Sequence, residues 1–109
     1  MSEIPERDWK LLRKLTPVAL ERFCEQVLLQ TAKIVASSAT NHQRYIKLYE
    51  MIQNQDRELG AAFDDHRRST ALLKIAQIHS RGLFAEDEFS GFTEETRKFV
   101  LKMEALNRA

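Results

Sequence analysis

The chain has only three glycines, two prolines and one cysteine among its 109 residues. So few turn formers exclude an all-β sandwich or barrel, which needs a turn about every 8 to 12 residues. The lone Cys24 cannot close an internal disulfide and falls among apolar neighbours, so nothing points to an oxidising compartment. Long apolar runs are missing too, and none approaches the roughly 18 residues of a membrane span. The first residues hold no apolar stretch of the secretory-signal kind, and a cytoplasmic location is expected. Excess charge of one sign is also absent. Lysine plus arginine number 17 against 16 acids, a formal charge of +1, so the overall field of a strongly basic nucleic-acid binder is missing and any such site has to be a local patch.

What is present is helical. Hydrophobic residues make up 43% and charged residues 30%, an ordinary globular mixture for one domain over residues 1–109. Apolar positions recur three and four apart, which predicts an all-α fold, a small helical bundle of four to five helices, dimeric in assembly. Pro5 suits the first turn of a short helix reaching about Leu15, with Trp9, Leu12 and Leu15 on one side. Thr16-Pro17 reads as its end and as the cap and first turn of a second helix running to about Ser37. Leu20, Phe23, Cys24, Val27, Thr31, Ile34 and Val35 form the core stripe of that helix.

Residues 37–41 lose the period and supply caps, so a turn falls there, with Thr40 or Asn41 opening a third helix to about Asp64. Its apolar face is Tyr45, Leu48, Tyr49, Ile52, Leu59 and Phe63. A fourth helix, separate from the third or continuous with it as one long bent rod, is expected from His66 to about Arg81, ended by Gly82 in the left-handed conformation. The segment 83–92 reads as an ordered connection with one turn at 85–89. Thr93, followed by Glu94 and Glu95, caps a last helix carrying Phe99, Val100, Met103 and Leu106.

Catalytic and metal motifs are scarce. No Glu-x-x-His or His-Glu-x-x-His occurs, and His42, His66 and His79 are 24 and 13 residues apart, so no metal and no cofactor is expected. Gly60, Gly82 and Gly91 are too scattered for a phosphate loop. Cys24 reads as a packed thiol rather than a nucleophile.

Three groups of residues stand out. Asp56 and His79 fall on predicted core stripes and need partners if buried; paired, they could move a proton, and otherwise they are structural contacts. Arg67, Arg68, Lys74 and Arg81 lie in an acid-free stretch, with Arg67, Lys74 and Arg81 seven apart, a spacing that suits phosphate contacts as well as it suits a solvated face. Val18 and Leu29, with Ala32 and Ala36, make a second apolar stripe behind the core face of the second helix, and Ile46 and Met51 lie off the main face of the third. Apolar residues on two sides of a helix in so short a chain predict an interface, most simply a twofold dimer.

The segment from Trp9 through Leu15-Thr16-Pro17 to Cys24 resembles the opening of small uncharacterised bacterial all-helical proteins. The resemblance covers the first third of the chain, implies a bacterial origin, and transfers no activity and no site residue. The expected function is a non-enzymatic protein-interaction module, a homodimer that binds another macromolecule. The alternative is a nucleic-acid-associated or regulatory protein using residues 67–81, and a third reading is an enzyme using Asp56 and His79.

Overall fold

The computed structural model describes residues 4–108. Five helices follow one another: α1 (Glu6–Ala36), α2 (Asn41–Phe63), α3 (Ala71–Ser80), α4 (Glu86–Phe89) and α5 (Glu94–Arg108). Among the described residues there is no strand, and no helix is long and apolar enough to cross a membrane.

The break expected at Thr16-Pro17 does not occur, and Pro17 lies inside α1. Leu12, Leu15, Ala19 and Phe23 recur three and four apart across it and are all buried, so one stripe packs without interruption. That packing outweighs a proline penalty of about 3 kcal/mol. Thr16 Oγ1 donates to the Leu12 carbonyl at 2.7 Å, whereas the carbonyl that Pro17 deprives of an N–H partner is that of Arg13.

Thr40 caps α2 as expected: its Oγ1 accepts from the Gln43 backbone N–H at 3.1 Å, and the Gln43 side chain accepts from the Thr40 N–H at 3.1 Å. Beyond α2 the chain turns at Asp65, whose φ of 59° is left-handed and tolerable for aspartate. Hence α2 and α3 are separate, and α3 starts at Ala71 rather than at His66. Gly82 ends α3 in the left-handed conformation, with φ 71°. Its N–H reaches the His79 carbonyl and the Leu83 N–H reaches that of Ile78, the paired bonds of a Schellman ending. The single turn expected near 85–89 is α4, steadied by a 2.7 Å bond from the Ala85 N–H to Glu88 Oε1.

Two regions result. In the head, the first half of α1, the end of α2, and α3, α4 and α5 enclose Leu12, Phe23, Ile75, Ile78, Leu83, Phe92 and Val100, each essentially without exposed surface. The arm is the remainder of the α1–α2 hairpin. Between Phe23 and Ala62 no residue is buried. The principal extents, 52 × 30 × 24 Å, reflect that projection.

Candidate functional site

Arg67, Lys74 and Arg81, spaced seven apart, do not line up along one helix, since only Lys74 lies within α3. Arg67 and Arg68 precede α3, in a turn where Thr70 Oγ1 accepts from the Arg67 N–H and donates to the Asp65 carbonyl. Arg67 pairs with Asp65 at 2.8 Å. Arg68 pairs with Glu6 at 3.1 Å and stands 5.2 Å over the Trp9 ring. The Arg68 hydrogen bond holds the Glu6 carboxyl below the usual range. Lys74 Nζ donates to the Ala61 carbonyl at 2.6 Å, and Arg81 pairs with Glu58 at 2.7 Å while lying 5.1 Å over the Phe23 ring. Each is bonded to its own chain, because the later start of α3 takes two of them off the helix and packing draws in the others.

Asp56 and His79 are not brought together. Asp56 is exposed on the arm, because α3 is too short to cover that part of α2. His79 is half-buried in the head, with Nδ1 2.5 Å from Glu104 Oε1 and its ring 3.9 Å from that of Phe89. Glu104 also lines a groove of about 420 Å³ between α3 and α5, with Leu73, Ala76 and Met103. A histidine held by a carboxylate can pass a proton, but catalysis also needs a positioned reacting group. The neighbouring Ser80 hydroxyl is bonded to the Gln77 carbonyl. Among the described residues no three His, Cys, Asp or Glu side chains gather in a metal-holding arrangement.

Sequence reasoning missed Glu104 as the partner of His79. It also missed a clamp in which Arg22 bonds Glu88 at 2.6 and 3.1 Å and the Leu83 carbonyl at 2.9 Å. The Arg22 hydrogen bond, helped by the Ala85 N–H, holds the Glu88 carboxyl below its ordinary range, and Glu88 in turn raises Arg22. No local signal marks either pair, since the partners lie on different helices.

The arm carries the largest departure from an ordinary surface. Tyr45, Tyr49 and Ile52, expected in the core, are 67%, 56% and 44% exposed. They are uncovered because the ten-residue α3 reaches only the base of the hairpin. On α1, Leu28 and Val35 are 67% and 54% exposed. Cys24 and Leu28 of α1 face Ile52 and Asp56 of α2 across an open apolar groove of about 240 Å³, floored by Phe23, Val27 and Leu59. Tyr45 and Tyr49 continue the Ile52 side at helical spacing, and Val35 continues the Leu28 side. Of the expected interface residues, Val18, Leu29 and Ile46 are exposed and Met51 is half-buried.

No known protein family, no curated protein and no solved structure matches this chain.

Proposed function

We propose that this chain is a non-enzymatic, cytoplasmic interaction module that pairs with a second copy through its arm and, as that homodimer, binds another macromolecule. One observation carries this reading: the hairpin between Phe23 and Ala62 has no buried residue, yet it holds Leu28, Val35, Tyr45, Tyr49 and Ile52 in the open. Scattered surface apolar residues are normal, but a continuous apolar face marks a site of association. A two-helix layer with nothing against it also lacks the second layer that encloses a helical core.

The nucleic-acid reading gains no support from the head, where Arg67, Arg68, Lys74 and Arg81 are all bonded to groups of their own chain. The arm balances Lys33, Arg44, Lys47 and Arg57 against Glu25, Glu50, Asp56 and Glu58, and so provides no net field for a polyanion.

Light scattering over a dilution series tests the reading. The expected mass is twice that of the chain, falling toward one chain in Leu28→Glu and Tyr49→Glu while the helical circular dichroism stays unchanged. Each substitution counts twice in a twofold dimer, so a buried leucine worth about 1.5–3 kcal/mol costs about 3–6 kcal/mol and weakens the dimer by roughly a hundred- to ten-thousandfold. A wild-type mass of one chain at every concentration would sink the homodimer.

A further inference from the structure

The open face of the arm has two unlike ends. At its base, beside the head, Asp56 lines the groove, and Glu21 lies three residues before Cys24 and seven before Leu28, on the same side of α1. At its tip, His42 precedes Tyr45 by three residues and Tyr49 by seven, on the same side of α2, and the bend holds Ser38, Thr40 and Asn41 without an acid. Between the ends the face is apolar. Glu21, His42 and Asp56 are exposed, and among the described residues none of them makes an ion pair. In the head, by contrast, Arg22, Arg68 and Arg81 have carboxylate partners.

This pattern selects its own partner. Two copies laid parallel would set Glu21 and Asp56 of one against the same carboxylates of the other, with nothing positive on the face to relieve them. Laid antiparallel, the acids at each base meet the tip of the other copy, where the Tyr45 phenol, His42 and the bend hydroxyls and amide can donate to them. The apolar middle then faces itself across a twofold axis, and two open hairpins become one closed four-helix bundle. A nucleic acid does not match an end rich in unpaired carboxylates.

We propose that two copies of this chain pack antiparallel through the face holding Leu28, Tyr49 and Ile52, the tip of each arm over the base of the other and the two heads at opposite ends. The proposal rests on the homodimer reading above and adds the occupant's orientation.

The single native cysteine makes the arrangement testable. Cys24 at the base and Ser38 at the tip are separated along one arm by about 20 Å, fourteen residues at about 1.5 Å each. Antiparallel packing brings Cys24 of one copy level with Ser38 of the other and keeps the two Cys24 thiols apart. Three proteins are treated with a bismaleimide spanning a helix-to-helix distance of about 10 Å: wild type, Ser38→Cys, and Ser38→Cys combined with Cys24→Ser. Light scattering of each accompanies the cross-linking. The expected result is a covalent dimer from Ser38→Cys alone. Cross-linking of the wild type or of the double variant would overturn the antiparallel order. A dimeric mass with no cross-link in any of the three would also overturn it while the homodimer reading stands, whereas a monomeric mass throughout would remove both.

Discussion

Thr96 Oγ1 donates a 2.5 Å hydrogen bond to Asp8 Oδ2, joining the first turn of α5 to the first turn of α1 across 88 positions of sequence. The Asp8 side chain has no exposed surface and also accepts from the Thr93 N–H at 2.9 Å and from Thr93 Oγ1 at 2.6 Å. A buried carboxylate is tolerable only when so satisfied, and this one also sits at the positive end of the α5 dipole. Asp8 thereby caps a helix that is not its own and fixes where α5 enters the head.

Replacing Asp8 by alanine is expected to leave the buried Thr96 donor and the half-buried Thr93 donors without their acceptor and to cost about 2–3 kcal/mol. Urea unfolding checks this: the midpoint falls with the slope unchanged. Thr96→Val, which removes one of the three bonds, costs less, about 1 kcal/mol.

Acid should weaken the head in part through Glu88. A free carboxyl of this kind titrates near about 4.3 in an unfolded chain, and the Arg22 bond lowers it in the folded one. The folded state therefore binds fewer protons, and the contribution of Glu88 is complete above the unfolded value and lost as pH falls through the lower, folded value. Arg22→Gln is expected to shrink the drop in urea midpoint between pH 6 and pH 3.5 and to raise the Glu88 titration seen by NMR. An unchanged acid drop would show that the clamp contributes nothing to stability.

Pro17→Ala should stabilise the chain by about 1 kcal/mol or more, because alanine restores an N–H to the middle of α1 and removes a ring that strains the helix. Thermal or urea unfolding decides the matter. A loss of stability would mean that Pro17 adds more to the packing beside Leu15 and Ala19 than its missing N–H costs.

Thr40→Ala removes one half of the α2 capping box and is expected to cost about 1 kcal/mol, felt at the tip of the arm and not in the head. Hydrogen exchange should quicken at residues 43–46 and stay constant at 75–78. Equal acceleration at both would show that arm and head open together.

The helices were legible where a local rule decides them. The Thr40 cap, the Gly82 ending, the short turn at 85–89 and the start of the last helix after Thr93 all rest on residues within one turn of each other. Pro17 misled because a local penalty was set against a core stripe whose worth depends on α3 and α5. Asp56 and Tyr49 misled for the converse reason. Helical spacing shows that residues share a face, and only the lengths of neighbouring helices show whether that face is covered. Val18, Leu29 and Ile46 stood out as surplus apolar positions and are exposed, whereas Val35, Tyr45, Tyr49 and Ile52 of the open face read as ordinary interior. Glu104, Arg22 and Asp8 lay beyond reach, since each acts on an element distant in sequence.

The projecting hairpin also governs how the molecule travels through solution. Its radius of gyration is 16.3 Å, against about 13 Å for a rounded chain of this length. Drag follows shape as well as mass, so a lone chain elutes from a sizing column ahead of a spherical standard of its own weight. Calibrated elution alone would therefore overstate the number of chains in the particle.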